Sequence, residues 1–146
     1  MTPAKPEPRR GVFARTISIR TSRHTELKDV TAEVEKVVRE SGCAEGVCYL
    51  YVPHTTAGVL INEGADPAVA RDIEATLDRL VPHAGAYLHA EGNADSHIKT
   101  ALVGSSETVW IEGSALSLGR WQAIFFAEFD GPRTRELRVK VIFDRP

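Results

Sequence analysis

The chain has 146 residues, 42% of them hydrophobic and 26% charged, and its 18 Lys and Arg against 20 Asp and Glu leave a net charge of −2. This length suits one domain with a self-sufficient core, and the ordinary composition excludes collagen-like, coiled-coil and wholly disordered chains. No apolar run reaches the roughly 18–20 residues of a membrane span, and the near-neutral charge argues against a nucleic-acid-binding protein.

The N-terminal segment and the two cysteines bear on processing and location. Residues 1–10 are rich in proline and charge, which predicts an extended or disordered tail before a single domain over residues 11–146. This segment lacks the apolar region of a signal peptide. Cys43 and Cys48 do not have CxxC spacing and are too few for a disulfide framework. We therefore expect a cytoplasmic protein in which Cys48, within an apolar run, is buried.

The first half of the chain predicts three strands and one helix. Apolar residues alternate over residues 13–19, which predicts a strand. Valines at helical spacing over residues 30–38 predict a helix that ends at Gly42. The continuous apolar run over residues 47–52 predicts a strand buried on both faces, and residues 57–61 predict another strand.

Two helices are predicted in the middle of the chain. Asp66 and Pro67 form an N-cap followed by proline at the first helical position. An apolar stripe then continues for about four turns and ends near Pro82. A second, shorter helix is expected to begin near residues 93–95, to carry Ile98, Ala101 and Leu102, and to end before Gly104.

The C-terminal part predicts three strands, over residues 108–112, 121–130 and 135–144, with a turn at residues 130–132. The resulting order is β-α-β-β-α-α-β-β-β. Because strands that are neighbours in sequence favour hairpins, this order predicts an α+β fold with an antiparallel or mixed sheet and helices to one side.

Histidines and carboxylates are concentrated in the middle of the chain. Four of the five histidines lie between residues 54 and 97, and residues 60–100 hold seven acidic against three basic residues. Imidazoles and carboxylates together suit a divalent ion or an acid–base site. His54, His89 and His97 can share such a site, although their spacing matches no metal motif. The alternative is that each histidine caps a helix, makes a local hydrogen bond or faces solvent.

A polar segment between a strand and a helix N-terminus contains Asn62 and Glu63. Helix N-termini offer free N–H groups that suit phosphate. Asp66 is most simply the cap of that helix, and a carboxylate there disfavours an anion unless a metal intervenes. Asp72 lies one turn into the helix, where it is either a solvated residue or part of a site.

Glu128 shares one face of its predicted strand with two apolar residues. A carboxylate in that position is costly unless it is paired or lines a polar cavity. Arg138 or Lys140 on the following strand can pair with it. The structural and the functional interpretation of Glu128 both remain open at this point.

Several segments of the chain are informative when taken together. They are residues 54–58 (HTTAG), 61–63 (INE) with Asp66, Pro67 and Asp72, 87–89 (YLH), 93–99 (NADSHIK), 104–106 (GSS) and 118–122 (LGRWQ) with Glu128. In this order they resemble the YjbQ-type family of small bacterial and archaeal proteins. This chain departs from the family at Arg120, where the family usually has threonine, and a long cation there alters the rim of any pocket.

The resemblance implies a compact α+β fold, with a largely antiparallel curved sheet and two to three helices packed on it, assembled as a homotrimer. It also implies a secondary thiamine-phosphate synthase activity, which joins a pyrimidine diphosphate to a thiazole phosphate and releases pyrophosphate. The alternatives are a non-catalytic trimer that binds metal or phosphate, and an enzyme with an unknown primary substrate.

The resemblance also implies a polar cleft that gathers the matching residues of this chain. We expect a phosphorylated small-molecule substrate and a divalent metal, Mg²⁺ or Zn²⁺, and we expect no nucleic-acid or membrane partner. The expected roles are metal binding by His54, His89 and His97, catalysis by the carboxylates of Glu63, Asp72 and Glu128, and substrate binding by Asn62, Gln122 and Lys99.

Overall fold

The computed structural model describes residues 11–145, so the predicted tail over residues 1–10 lies outside the described residues. Within the described part of the chain, none of the helices combines the length and the apolarity needed to cross a membrane. In chain order the elements are β1 (Val12–Arg20), β2 (Glu26–Asp29), α1 (Thr31–Ser41), β3 (Gly46–Tyr51), β4 (Ala57–Glu63), α2 (Pro67–Leu80), α3 (Ala94–Val103), β5 (Ser106–Glu112), β6 (Ala115–Leu116), β7 (Gln122–Glu128) and β8 (Thr134–Phe143).

The strands form two antiparallel sheets. One has five strands in the order β1-β8-β3-β5-β6, and the other has three in the order β2-β7-β4. The α+β class, the antiparallel pairing and the three helices are confirmed. The predicted hairpins were wrong, because among the described strands only β5 and β6 pair as sequence neighbours, while β1 pairs with β8 and β3 lies between β5 and β8. Strands β2 and β6 are too short to show an alternating pattern, and the sequence did not predict them.

Strand β7 is buried on both faces and separates two parts of the core. Ile124 and Phe126 face the larger cluster, which lies against the five-stranded sheet. Phe125 and Phe129 face a smaller cluster. The period-2 alternation of the sequence therefore assigns each β7 side chain to the correct cluster.

The ends of α1 and α2 follow the sequence signals. Gly42 ends α1 in the left-handed region at φ 69°, which glycine adopts without steric cost. The Asp66 side chain accepts a hydrogen bond from the Ala68 N–H at 2.9 Å, and Pro67 follows at the first helical position. Both helix boundaries are confirmed.

Helix α3 is present where predicted, but its apolar side faces outward. Ile98 is 40% exposed and Leu102 is 63% exposed, whereas Lys99 and Asp95 are almost fully enclosed. A helix usually buries its apolar stripe, so the reversal needs a polar partner for the buried face. That partner is the ionic network described in the next section.

Strand β3 is buried on one face only, so the prediction of burial on both faces was wrong. Leu50 is buried, while Tyr49 and Tyr51 are 44% and 48% exposed on the outer face of the five-stranded sheet. The aromatic rings made the sequence appear continuously apolar, whereas the burial alternates. Cys48 is buried, as predicted.

A buried ion pair joins the two sheets. Glu128 of β7 is fully enclosed, and Arg135 of β8 donates to its carboxylate at 2.6 and 2.9 Å. The Thr21 hydroxyl donates to the same carboxylate at 2.7 Å. The partner of Glu128 is therefore Arg135, and not Arg138 or Lys140 as predicted, because those two side chains are on the opposite, exposed face of β8.

Burial opposes ionisation of Glu128, but hydrogen bonds from Arg135 and Thr21 outweigh this effect and hold the pKa of Glu128 below its ordinary value. The pair is thus charged. Arg135 Nη2 also donates to the Thr56 hydroxyl at 2.8 Å, which ties the start of β4 to the same group.

We predict that Glu128→Gln lowers the free energy of unfolding by about 3–5 kcal/mol, because it leaves the Arg135 charge enclosed without a counter-ion. The measurement is urea denaturation of both proteins. Glu136→Gln is the matched control, since Glu136 is exposed and its pairing with Arg138 at 3.6 Å is worth less than about 1 kcal/mol. Equal effects of the two substitutions would contradict a special role for the buried pair.

Candidate functional site

The sequence-predicted site residues lie at opposite ends of the three-stranded sheet. In the antiparallel register of β4 and β7, Glu63 pairs with Gln122, whereas Ala57 pairs with Glu128. The six-residue step from Ala57 to Glu63 corresponds to about 20 Å of strand. One chain therefore does not gather all of these residues into a single cleft.

One end of this sheet holds Asn62, Glu63 and Gln122, and Asp72 is exposed in the second turn of the adjoining α2. The Asn62 side-chain oxygen accepts the Glu63 N–H at 2.8 Å. The Gln122 side-chain oxygen accepts the Gly119 N–H, also at 2.8 Å. Both amide oxygens thus have local partners, which leaves their NH₂ groups as the polar atoms available to a ligand.

The other end of the sheet carries a buried ionic network at the start of α3. The Lys99 ammonium, 1% exposed, donates to Asp78 at 2.5 Å and to Asp95 at 3.3 Å. His83 Nδ1 lies 3.1 Å from the second oxygen of Asp95. The Thr25 hydroxyl donates to Asp78 at 3.2 Å. These contacts explain why α3 turns its polar face inward.

Asp95 is the fully buried member of this network. Burial raises the pKa of a carboxyl group, but hydrogen bonds from His83 and Lys99 outweigh this effect and hold the pKa of Asp95 below its ordinary value. Lys99, predicted to bind substrate, is therefore already paired with carboxylates. It reaches a phosphate only if Asp78, whose side chain is 52% exposed, turns toward solvent.

A second carboxylate–imidazole pair lies beside the first. His24 Nε2 is 3.8 Å from Asp130, whose other oxygen accepts from Arg133 at 2.8 Å and from Asn93 at 3.0 Å. The His24 and His83 rings meet edge to face with their centroids 5.2 Å apart. Sequence reasoning missed His24 and Asp130, because they are far from His83 along the chain.

The sequence held one unused signal for the ionic network. Asp95 and Lys99 are four residues apart on α3, a spacing at which opposite charges on a helix meet. The contact with His83 depends on the folding of the loop between α2 and α3, and no local pattern predicts it.

His89 and His97 are brought together, with ring centroids 5.0 Å apart. Glu91 is 3.8 Å from His89 Nε2. The two imidazoles border an open cavity of about 420 Å³ whose other walls are Ala86, Tyr87, Leu88, Ala94 and Ile98. This is a largely apolar cavity with two nitrogen ligands at its edge.

His54 lies apart from that pair, beside the Glu128–Arg135 ion pair. Its Nε2 accepts the Glu136 N–H at 2.9 Å. Burial, followed by the positive charge of Arg135, lowers the pKa of His54. The imidazole is therefore neutral near pH 7, and because Nε2 accepts a hydrogen bond, Nδ1 carries the proton.

The predicted three-histidine ligand set is not assembled within one chain. Over residues 11–145, no three His, Cys, Asp or Glu side chains are arranged to hold a metal ion. His89 and His97 supply two imidazole nitrogens, so any ion held there needs further ligands from water or from a bound phosphate.

We predict that His54 titrates below about pH 6.5, the ordinary imidazole value. Its folded pKa is lowered, so the unfolded chain binds the proton more readily and His54 reduces stability as the pH falls below about 6.5. The ¹⁵N NMR titration of the imidazole measures the midpoint directly. Urea unfolding at pH 7 and pH 5.5 should show a smaller pH-dependent loss in His54→Gln than in the wild type, and an unchanged loss would contradict the assignment.

Comparison with known proteins identifies the family. The model of the UPF0047 protein YjbQ-like family matches residues 15–144. The chain is 50% identical over 127 residues to the UPF0047 protein MJ1081 of Methanocaldococcus jannaschii, which covers 87% of this chain and 92% of that protein. It is 43% identical to the UPF0047 protein YugU of Bacillus subtilis, with 88% of this chain and 98% of YugU covered.

Solved structures agree in fold as well as in sequence. A YjbQ/UPF0047 family protein from Clostridium acetobutylicum superimposes with a TM-score of 0.86 at 49% identity, and covers 88% of this chain and 99% of its own. A YbjQ-like protein from Sulfolobus solfataricus gives a TM-score of 0.87 at 30% identity, with 91% and 98% covered. The fold is thus shared along nearly the whole length, and the chain belongs to the YjbQ/UPF0047 family.

Proposed function

We propose that this protein has a secondary thiamine-phosphate synthase activity at the cavity beside His89 and His97. The observation that supports the proposal is this cavity itself, about 420 Å³ of largely apolar space bordered by two imidazoles. An apolar wall that includes Tyr87 suits the heteroaromatic ring of a pyrimidine. Imidazoles at the edge of the cavity suit the diphosphate that this ring carries, together with its ion.

The reaction demands little acid–base chemistry from the protein. The bond between the pyrimidine methylene carbon and the diphosphate oxygen breaks, the leaving group takes the electron pair, and the thiazole nitrogen forms the new carbon–nitrogen bond. A divalent ion, when bound, neutralises charge on the leaving diphosphate. His89 and His97 hold the diphosphate end of the substrate, and the cavity orients the ring for attack.

The other predicted site residues take different parts in this proposal. Asn62 and Gln122 orient the second substrate through their NH₂ groups, with Glu63 and Asp72 as nearby carboxylates. Lys99 assists once Asp78 has turned away. Glu128 is enclosed and engaged by Arg135, so its contribution is to hold the adjoining segments in place, without touching substrate.

We further propose that three copies of the chain assemble through the outer face of the five-stranded sheet. Val12 and Ile142 are paired neighbours on this face, and both are exposed, as are Tyr49, Tyr51 and Trp110. Arg138 and Lys140 lie on the same face, so the surface is mixed, and large exposed apolar side chains in such a surface are typical of an interaction site. Assembly also offers a route for the Asn62 and Gln122 end of one copy to meet the His89–His97 cavity of another, which a single chain does not allow.

We predict that the full-length protein, incubated with the pyrimidine diphosphate, the thiazole phosphate and Mg²⁺, forms thiamine phosphate detectable by mass spectrometry. His89→Ala combined with His97→Ala should lower the rate at least tenfold, because both ligands of the diphosphate end are lost. Lys36→Ala, at an exposed position of α1, is the control and should keep the wild-type rate.

Absence of product above a protein-free control would contradict the synthase proposal. Calorimetric titration with each precursor then separates the alternatives. Binding without turnover would support the non-catalytic phosphate-binding protein. If the protein neither binds the precursors nor forms product, a different primary substrate is favoured.

We predict that light scattering on a sizing column gives three times the chain mass, and that Trp110→Glu gives a monomer. Trp110 is paired in register with Val47, so a carboxylate at that position would be buried without a partner at the contact between copies. Lys36→Glu adds a carboxylate on α1, away from this face, and should remain trimeric. A monomeric wild type would contradict the assembly.

A mixing experiment tests whether the site is shared between copies. One protein carries His97→Ala and a second protein carries Gln122→Ala. The two are unfolded together and refolded, so that mixed trimers contain some sites with neither substitution. Activity above that of either variant alone is expected, and no recovery would place all of the required residues in one chain.

A further inference from the structure

We infer that His24 and His83 form a separate binding site for a divalent transition-metal ion such as Zn²⁺, with the remaining coordination positions open to water or an anion. This site uses neither His89 nor His97 and is independent of the proposed synthase activity. The inference rests on two exposed imidazoles whose ring centroids lie 5.2 Å apart, one of which is hydrogen-bonded to a buried carboxylate.

His83 has the features of a metal-binding histidine. Metal-ligating histidines almost always have their other ring nitrogen on a carboxylate or carbonyl, which fixes the ring and raises its basicity. His83 Nδ1 lies 3.1 Å from Asp95, which is itself held by Lys99. Nε2 is then the nitrogen left for an ion, and the His83 side chain is 64% exposed.

His24 lies on the opposite side of the proposed ion position. Its Nε2 is 3.8 Å from Asp130, which is beyond hydrogen-bond distance, and the Asp130 carboxylate accepts from Arg133 and Asn93. Nδ1 is available, and the His24 side chain is 43% exposed. His83 is therefore positioned by Asp95 before any ion binds, whereas His24 has the freedom to turn toward the ion.

The separation of the two rings suits a shared ion. With metal–nitrogen distances of about 2.0–2.1 Å and tetrahedral angles, two imidazoles on one ion have ring centroids about 5 Å apart. The observed separation of the His24 and His83 centroids is 5.2 Å, with the ring planes at 74°. Both side chains are exposed and able to turn, and the inference requires that they direct Nδ1 of His24 and Nε2 of His83 at one ion.

The surroundings favour a cation with bound water. Three carboxylates, those of Asp78, Asp95 and Asp130, surround two protein cations, Lys99 and Arg133, which leaves a net negative charge. The Asn93 side-chain oxygen, within the Asp130 network, is buried without a hydrogen-bond partner. A water on the ion is a donor that would satisfy it. Two imidazoles select Zn²⁺, Cu²⁺ or Ni²⁺ over Mg²⁺.

The test is calorimetric titration with Zn²⁺ of the untagged full-length chain, in the His89→Gln, His97→Gln background so that the other histidine pair does not contribute. One ion per chain is expected. Adding His24→Gln or His83→Gln should weaken binding at least tenfold, and Asp95→Asn by about 10–100-fold, the usual effect of removing a carboxylate behind a ligand. Unchanged affinity in both histidine variants would overturn the inference.

A second measurement on the wild-type chain guards against variants that fail to fold. In ¹⁵N NMR, Zn²⁺ should shift Nδ1 of His24 and Nε2 of His83, while the ring nitrogens nearest Asp130 and Asp95 remain protonated. Shifts confined to His89 and His97 would overturn the inference. Thiamine phosphate formation measured on the same samples keeps this outcome separate from that of the synthase proposal.

Discussion

The enclosed Glu128–Arg135 ion pair is the contact on which the arrangement of this protein depends. It connects the two sheets through side chains that no solvent reaches, and Thr21 and Thr56 attach the end of β1 and the start of β4 to it. Desolvation makes such a pair a poor source of net stability, but removal of either partner is very costly. The pair therefore restricts the chain to the one packing of the two sheets in which both charges are satisfied.

A second set of paired buried charges lies at the start of α3. Lys99 is buried between Asp78 and Asp95, so this helix packs through its polar face and leaves Ile98 and Leu102 exposed. The cost of burying the two charges of Lys99 and Asp95 is offset only while both are paired. His83, which contacts Asp95, and His97, on the same helix, lie close to this pair. The histidines proposed for binding thus lie next to the buried ion pair of Lys99 and Asp95.

Two of the exposed apolar surfaces within residues 11–145 have different proposed uses. The cavity beside His89 and His97 is the proposed substrate site, and the outer face of the five-stranded sheet is the proposed contact between copies. The predicted site residues are divided between the two ends of β4 and β7, about 20 Å apart in one chain, and this division connects the two proposals.

Local sequence signals determined the helices and the longer strands of this protein, but not the short strands β2 and β6. The cap at Asp66, the left-handed Gly42 and the alternation along β7 each depend on neighbouring residues, so one sequence sufficed to place them. Only the tertiary structure decided that Glu128 pairs with Arg135, that α3 buries its charged face, and that His24 meets His83. Those contacts join segments that are distant in the sequence or belong to different sheets. Two charged side chains must pair only when the fold buries them together, so the sequence by itself does not identify the pair.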